Sequence, residues 1–370
     1  MEENVPELER SLLTRRAFGG GLLAAAAAGI ERAAAQQGLA KSINIGLSTV
    51  VQGIMSSYYN SIPMTLYWPA AGFQFPTFGL AGANTAAEAL EAGRIDIAFL
   101  TNSALFALID KYPNTDAVAI YTFTTGFNAM PAVRADSPLR TIKDLAGKRI
   151  GVLSLGNSQI QVTRGLMGLA GGDASSMQFI AVGEGVEAAH ALQADRVDAV
   201  ALFDGAYAQI EGVGVKLREL EGGAVDMEQI GFISSAVTTR RYLEKNRATL
   251  VHILKGVAKA TVFAAANPEA AVRIHWKVYP ESRPRGVGED EALRRSLMQV
   301  KARLHNVRDV EGLIGNSTAR QIATYQDLLL TGGVIRKPVE PSRIWDGSLI
   351  KDVNDFDRAA IVHQAREWKG

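Results

Sequence analysis

Two stretches of the sequence, about a hundred residues apart, nearly repeat each other. Residues 90–104 read LEAGRIDIAFLTNSA and residues 192–206 read LQADRVDAVALFDGA, with six identities in fifteen positions at an offset of 102. Each copy predicts the end of a helix, a turn residue and a short, mostly apolar strand. A helix that leads into a nearly continuous apolar strand is typical of a buried parallel strand. The repeat therefore predicts two α/β units that are built alike.

The turn residue differs between the two copies. Gly93 suits the left-handed conformation that ends the first helix, and Asp195 stands at the matching position, where it tolerates the same conformation at some cost. Each copy is preceded by a strand and a small polar loop. The first such strand is predicted over residues 43–47, and the second over 149–153, followed by a helix over 159–169.

The segment between the copies contains a short helix with clear start and stop signals. Thr141 and Asp144 form a capping-box pattern, and Gly147 ends the helix before the strand that begins at Arg149. After residue 238 the pattern becomes helical. Helices are predicted over residues 240–266, 268–279, 290–304 and 318–330, followed by a tail with several prolines.

The N-terminal 35 residues predict an export signal. The sequence TRRAF at residues 14–18 precedes an apolar stretch at 19–30 and the small residues AAA at 33–35, as in a twin-arginine signal with a cleavage site. The alternative is a membrane anchor, but twelve residues fall well short of the about 20 that span a bilayer. Cleavage near Gln36 is expected to release the protein into the periplasm.

Charge and cysteine content narrow the function classes. A formal net charge of +1 offers no basic face for nucleic acid or for an anionic membrane. The absence of cysteine excludes disulfides, thiolate metal ligands, a cysteine nucleophile and a lipid-modified cysteine anchor. Residues 42–87 contain no charged side chain but many aromatic ones, which indicates that most of these aromatic residues are buried inside a lobe. The alternative is that some of them line an uncharged cleft.

Several motifs together resemble one family of exported proteins. TIKDLAGKRIGV at residues 141–152, the paired GRIDIA and DRVDAV, NPEAAVRIHWKVYP at 267–280 and the twin-arginine leader resemble the substrate-binding proteins of ABC importers. Among these the chain is most similar to the nitrate/sulfonate/taurine group, which includes binders of the pyrimidine precursor of thiamine. The resemblance covers roughly residues 40–345.

The resemblance implies an α/β, two-lobed periplasmic binding protein fold, type II-like, with two hinge crossovers and extra C-terminal helices. The crossovers are expected near residues 127–134 and 232–239. The implied division of the chain is a signal peptide over 1–35, the first part of lobe 1 over 36–128, lobe 2 over 129–235, the second part of lobe 1 over 236–345 and a tail over 346–370. Closure about the hinges would trap a small solute and present it to the membrane permease subunits.

Candidate binding residues follow the strands of both repeats. In open α/β sheets ligands bind beyond the carboxyl ends of the strands, where helix N-termini direct free amide groups outward. The loop of Gly156, Asn157 and Ser158 is the strongest candidate, although an ordinary helix cap explains Ser158 equally well. The remaining candidates are Ser48, Thr49, Asn84, Thr101, Asn102 and Asp204.

Asn102 and Asp204 occupy matching positions in the two repeats. One copy thus offers a neutral amide and the other a carboxylate, which would suit a ligand with an amine, amidine or hydroxyl on one side. A turn-forming aspartate is an equally good explanation of Asp204. No Arg or Lys lies in the candidate loops, so we expect a neutral or weakly charged organic solute.

Other motifs are better explained by structure than by catalysis. Asp96 and Asp198 begin their strands, at the end opposite the cleft, so capping or a local ion pair is expected. Gly183, Glu184 and Gly185 match part of a dinucleotide fingerprint, but Glu184 would place a negative charge against the pyrophosphate. The alternative is that Glu184 faces the cleft. The five histidines show no metal-binding spacing and are expected at helix surfaces.

The sequence therefore predicts a periplasmic solute receptor that has no catalytic residues, no cofactor and no metal. We expect a monomer that is not lipid-anchored and that binds no nucleic acid. The alternatives are an enzyme on the same fold, such as a pyrimidine-precursor synthase, and a sensor-type binding protein.

Overall fold

The computed structural model describes residues 38–70, 72–223 and 226–370. The export signal predicted over residues 1–35 lies outside this part of the chain. Within it, ten strands form two five-stranded sheets. In chain order the strands are β1 Ile45–Leu47, β2 Thr77–Gly79, β3 Ile97–Thr101, β4 Ala117–Thr124, β5 Ala132–Arg134, β6 Arg149–Val152, β7 Gln178–Ala181, β8 Ala199–Val200, β9 Leu217–Glu219 and β10 Ser234–Thr239.

The two sheets have the same construction. The first sheet has the strand order β2-β1-β3-β10-β4 and the second has β7-β6-β8-β5-β9. In each sheet the first three strands run parallel, and the fourth pairs antiparallel with both of its neighbours. The repeated strands β3 and β8 lie at the centre of their sheets. The α/β fold with two similar units, as predicted from the repeat, is confirmed.

Asp96 and Asp198 stand at matching positions of the two repeats and make the same kind of contact. Asp96 Oδ2 accepts a hydrogen bond of 2.7 Å from the backbone N–H of Asn44, and Asp198 Oδ2 accepts one of 2.8 Å from that of Arg149. Asp198 also pairs with the Arg149 guanidinium at 2.7 Å. Each carboxylate thus joins its strand to the neighbouring parallel strand at the end opposite the cleft. The predicted structural role of both residues is confirmed.

The chain passes between the sheets twice. It leaves the first sheet after β4, enters the second at β5, and returns from β9 to β10. The returning segment contains Phe232, whose φ of 59° is rare for a bulky residue. Phe232 is buried against Phe106 and Trp345, so the surrounding core holds this conformation.

The helices cover both sheets. Gly93 and Asp195 adopt the predicted left-handed conformation, with φ of 68° and 49°. The capping box of Thr141 and Asp144 is present. The α-helices are α1 Ala83–Glu91, α2 Asn102–Lys111, α3 Gln159–Leu169, α4 Val186–Gln193, α5 Asp204–Gly212, α6 Arg240–Lys245, α7 Arg247–Ala266, α8 Pro268–Val278, α9 Glu289–His305, α10 Ala319–Thr331, α11 Pro341–Ile344, α12 Ile350–Val353 and α13 Arg358–Glu367.

The C-terminal half differs from the prediction in two places. The helix predicted over residues 240–266 is divided at Asn246, whose φ and ψ of −127° and 31° are not helical. The residues predicted as a tail contain α12 and α13, which pack on α7. Their apolar residues Ile350, Val353 and Ile361 are buried in the core of the first sheet. The residues set apart as a tail are therefore helical and packed on the first unit.

One helix in the described residues, α7, is long and apolar enough to cross a membrane by length and composition alone. More than half of its most apolar window is buried inside the fold. Trp68 packs against this helix and donates its indole N–H to the Ile253 carbonyl at 2.9 Å. These contacts are those of a core helix of a folded domain.

Helices α9 and α10 connect the two halves of the molecule. Helix α9 packs along α5 beside the second sheet and also against α8 beside the first, and α10 packs along α3. Where α10 packs on α3, Gly165 in the interior of α3 lies directly against the Leu328 carbonyl. The extra C-terminal helices therefore contact helices that cover both sheets.

Candidate functional site

The carboxyl ends of strands from both sheets face two adjoining cavities. The central cavity has a volume of about 410 Å³ and the outer cavity about 710 Å³. The two share Thr101, Ser103, Asn157 and Ser158 as lining residues. A cleft formed by polar loops of both α/β units is where a ligand of such a fold is expected to bind.

The loop after β1 brings Ser48 and Thr49 to the central cavity. Gln52 fixes this loop, because its buried side-chain amide donates to the Thr49 carbonyl at 2.5 Å and to the Thr49 hydroxyl at 3.1 Å. The Gln52 carbonyl in turn lies 3.0 Å from Nε2 of the buried His275. The loop is thus held from behind by α8.

The loop after β3 contributes Thr101 and Ser103 to both cavities. Their hydroxyl oxygens lie 3.1 Å apart, so one hydroxyl donates to the other and the pair presents a polar edge. Asn84, at the start of α1, lines the outer cavity.

The loop before α3 comes from the second sheet. Asn157 and Ser158 line both cavities, and Gly156 lines the outer one. The Asn157 Oδ1 atom accepts a hydrogen bond of 2.8 Å from the Gln159 backbone, which uses its oxygen as a helix cap. The Asn157 Nδ2 group makes no hydrogen bond to the described residues, so it is available as a donor toward the cleft.

Two of the predicted residues, Asn102 and Asp204, line neither cavity. Asn102 is fully buried and donates from Nδ2 to the Phe232 carbonyl and to the Ser235 hydroxyl, both at 2.8 Å. Asp204 is also buried and is held by Arg303. Each begins its helix, and each side chain points to packed neighbours, so both are placed as structural residues.

The central cavity has an aromatic wall on the side of the first sheet. Tyr59 and Phe123 line it, with ring centroids 4.6 Å apart, and Phe99 stacks on Tyr59 at 5.8 Å. Of the other aromatic residues of the uncharged segment, Tyr58, Trp68 and Phe73 are buried and Phe78 is exposed, so the expected burial holds for only part of the segment. Tyr59 is therefore the member of this segment whose ring reaches the cavity.

A buried ion pair lies at one side of the central cavity. Arg303 lines the cavity, and its Nη2 and Nε atoms contact the two oxygens of Asp204 at 2.6 and 2.8 Å. Side-chain exposure is only 12% for Arg303 and 6% for Asp204. Burial alone would lower the pKa of Arg303, but the Asp204 carboxylate raises it above its ordinary value. The guanidinium therefore stays charged, and its partner compensates that charge.

Glu184 lies at another side of the same cavity, near Gln209 and Gln299. Gln209 Nε2 donates to Gln299 Oε1 at 3.1 Å, which joins α5 to α9. Burial, and then the neighbouring Glu187, raise the pKa of Glu184. Among the described residues Glu184 has no hydrogen-bond or ion-pair partner.

The remaining sequence predictions concern the glycines beside Glu184, metal binding and the histidines. Gly183 and Gly185 adopt φ of 72° and 61° around Glu184, so the loop conformation explains both glycines. Residues 38–70, 72–223 and 226–370 hold no group of three or more acidic, histidine or cysteine side chains that could bind a metal. His275 is fully buried, so the expectation that every histidine lies at a helix surface was wrong for this one.

Sequence reasoning did not find several lining residues. Arg303 and Gln299 lie on α9, far in sequence from both repeats, and no local signal pointed to them. Gln209 lies one turn into α5, past the predicted loop. The candidate loops contain no Arg or Lys, as the sequence shows, but helices bring Arg303 to the central cavity and Arg164 to the outer one.

A comparison with protein-family models decides the family. The model described as NMT1/THI5 like matches residues 78–271, which is more than half of the chain. The chain belongs to the NMT1/THI5-like family. The match includes both repeats and the loops after β3 and β6, so the cleft described above is largely built from the family's own segment.

Solved structures share the fold. The periplasmic aliphatic sulphonate binding protein SsuA from Escherichia coli is similar over 83% of this chain and 93% of its own, at 20% identity and a TM-score of 0.60. The alkanesulfonate-binding protein SsuA from Xanthomonas axonopodis, bound to MOPS, covers 83% and 99% at 18% identity and a TM-score of 0.57. The predicted two-lobed periplasmic binding protein fold is confirmed by these neighbours.

The neighbours also include an enzyme. A mutant of the desulfurization enzyme DSZB in complex with biphenyl-2-sulfinic acid is similar over 84% of this chain and 98% of its own, at 15% identity and a TM-score of 0.53. No curated protein sequence matches the chain. At these identities the likeness establishes the fold and leaves the activity to the residues of the site.

Proposed function

We propose that the protein is a solute receptor that captures a small organic molecule between its two α/β units and delivers it to an ABC importer. The observation that supports this most directly is the central cavity, which loops from both sheets line at the carboxyl ends of their strands. A ligand there would contact Thr49 and Thr101 on one side and Asn157 on the other. It would thereby hold the two units together.

The proposal includes a place and a partner. The twin-arginine pattern at residues 14–18 supports export to the periplasm, and neighbours of this fold that are periplasmic binding proteins agree with it. The crossovers between β4 and β5 and between β9 and β10 would serve as the hinges. We propose that the closed form of a monomer is what the permease subunits recognise.

The lining of the cavity favours binding over catalysis. The polar side chains that line it are hydroxyls, amides, one guanidinium and one carboxylate, and the rest of the lining is aromatic and aliphatic. An acyl or sulfur transfer would be expected to require an activated nucleophile with a base beside it, and the chain contains no cysteine. We therefore propose a receptor without enzymatic activity.

A solute panel tests this function at Asn157. We expect at least one small solute among sulfonates, nitrate, carboxylates and amino-pyrimidines to raise the melting temperature of the purified protein. The Asn157→Ser variant keeps a side-chain oxygen near the start of α3 and adds no charge, but it loses the Nδ2 donor. It should bind the best solute about tenfold more weakly in calorimetry while keeping its own melting temperature.

Two results would contradict the receptor function. If no panel member changes the melting temperature, and native mass spectrometry of the protein purified from the periplasm detects no retained small molecule, the receptor function is wrong. If a solute binds and is converted to a product, the enzyme alternative replaces it.

A further inference from the structure

The charged side chains of the central cavity are unequally compensated. Two such side chains line it, Arg303 and Glu184. The guanidinium of Arg303 is held by both oxygens of the buried Asp204, whereas Glu184 has no such partner among the described residues. With Glu184 ionised, these three groups sum to one negative charge.

The position of Glu184 is fixed by its loop. The glycines on either side adopt left-handed backbone conformations with φ of 72° and 61°. A side chain at Gly185 would also collide with the amide of Gln209. Both glycines are thus required for the turn that places Glu184 at the carboxyl edge of the second sheet, where it is half-buried.

An unpaired, partly buried carboxylate has two ways to lower its free energy. It can take up a proton, in line with the direction in which burial shifts the pKa of Glu184. Alternatively, it can bind a cationic donor that enters the cavity. Among the described residues no cation pairs with Glu184, and Arg303, which lines the same cavity, pairs with Asp204, so the donor would come from the ligand.

Aromatic rings complete the environment for such a ligand. Tyr59, Phe123, Phe127, Phe203 and Tyr325 all line the same cavity. The faces of aromatic rings attract ammonium and guanidinium groups, more strongly where water is excluded. They also provide apolar surface for the uncharged part of an organic solute.

An anionic solute would meet the opposite conditions. The Arg303 guanidinium has already given its Nε and one Nη to a carboxylate, so its field toward the cavity is weakened by an adjacent negative charge. A sulfonate or nitrate would therefore lie between a compensated cation and an uncompensated Glu184. The charge pattern of the cavity disfavours it.

We propose that the central cavity takes a small organic solute bearing a protonated amine or amidine, which Glu184 binds as an ion-paired hydrogen bond while the aromatic wall covers the rest of the molecule. This inference rests on the receptor function proposed above and names its ligand class. It makes Glu184 the specificity-determining residue and Arg303 a wall residue.

Three probes of similar size test the charge preference. Benzylamine carries an ammonium, benzyl alcohol is neutral and benzenesulfonate is an anion. In calorimetry near neutral pH we expect benzylamine to bind the full-length protein about tenfold more tightly than benzyl alcohol. Benzenesulfonate should be the weakest of the three.

Two variants localise the effect. Glu184→Gln should reduce the affinity for benzylamine to that for benzyl alcohol within about threefold, and should leave the affinity for benzyl alcohol unchanged. Glu187→Gln removes the same charge from an exposed residue of α4, the helix that follows the Glu184 loop, and this residue does not line the cavity. It should change neither affinity by more than about twofold.

The outcomes separate this inference from the receptor function. Tightest binding of benzenesulfonate, an unchanged benzylamine affinity in Glu184→Gln, or an equal effect of Glu187→Gln would overturn the ligand class while the receptor function stands. Failure of all three probes to bind also overturns it. Whether the protein is a receptor is then decided by the solute panel and by native mass spectrometry.

Discussion

At the scale of single residues, the loop that carries Thr49 depends on a buried histidine. His275 Nε2 lies 3.0 Å from the Gln52 carbonyl, which can only accept, so Nε2 carries the proton. Nδ1 then accepts from the Ser61 hydroxyl at 2.9 Å. Both ring nitrogens are used by the neutral imidazole. Burial accordingly lowers the pKa of His275 from 6.5 to about 4.

This lowered pKa predicts a pH-dependent stability. Above pH 6.5 the imidazole is neutral in both the folded and the unfolded chain, and it imposes no penalty. As the pH falls from 6.5 toward 4, the unfolded chain takes up a proton that the folded chain refuses, so stability is lost. By pH 4.5 this single group should lower the free energy of unfolding by about 2–3 kcal/mol.

The measurement compares His275→Gln with the wild type in urea unfolding at pH 7.5 and pH 4.5. Glutamine can donate to Gln52 and accept from Ser61 but does not titrate, so the variant should lose less stability between the two pH values. His190→Gln, at an exposed position, should behave like the wild type. An identical loss in wild type and His275→Gln contradicts the assignment.

At the scale of elements, helices with strong local start and stop signals were predicted correctly from the sequence. Helix α3 begins and ends at the predicted residues, because the polar loop before it and the glycines after it are strong local signals. The break at Asn246 was missed, because apolar spacing continues on both sides of it. The terminal helices were missed for a different reason, since their stability comes from packing on α7 rather than from their own sequence.

The contact between α3 and α10 shows a packing feature that sequence could not reveal. Gly165 lies in the interior of α3 and Gly168 in its last turn, and glycine inside a helix costs about 1 kcal/mol relative to alanine. A methyl group at Gly165 would strike the Leu328 carbonyl, which is backbone, whereas one at Gly168 would meet only a methyl of Thr331. A side chain can rotate away and a backbone carbonyl cannot.

The two glycines therefore predict opposite effects. Gly165→Ala should lower the free energy of unfolding by about 1–3 kcal/mol, because α10 must move away from α3. Gly168→Ala should be neutral or stabilising by up to about 1 kcal/mol. Urea unfolding of both variants gives the comparison. Equal effects would show that α10 does not pack against the backbone of α3 as described.

At the scale of the whole molecule, the cleft is lined by residues of the two repeated units and by residues from outside them. The loops that follow β1, β3 and β6 come from the two α/β units, and the repeat predicted them. The residues that set the charge of the cavity come partly from α9, which lies outside both copies. The pairing of Arg303 with Asp204 is a contact over 99 residues, and only the fold can bring these two together.

That ion pair also joins the two halves of the molecule. Asp204 begins α5 beside the second sheet, and Arg303 lies on α9, which also packs against α8 beside the first sheet. Asn306 Nδ2 donates to the same carboxylate at 3.2 Å. If the two units swing apart as we propose, the pair must either separate or carry α9 with it.

Removing one member of the pair should therefore change both stability and shape. Asp204→Asn leaves the Arg303 guanidinium buried without its counter-charge and should lower the free energy of unfolding by about 3 kcal/mol. In small-angle scattering the ligand-free variant should have a larger radius of gyration than the wild type, because α9 no longer holds the second unit. The double variant Asp204→Leu with Arg303→Met removes both charges and should recover most of the lost stability.

The radius of gyration decides what the ion pair does. If Asp204→Asn is destabilised but its radius is unchanged, the pair stabilises the fold without holding the two units together. If the double variant recovers the wild-type radius as well as the stability, apolar packing of α9 on α5 is enough to keep the units together.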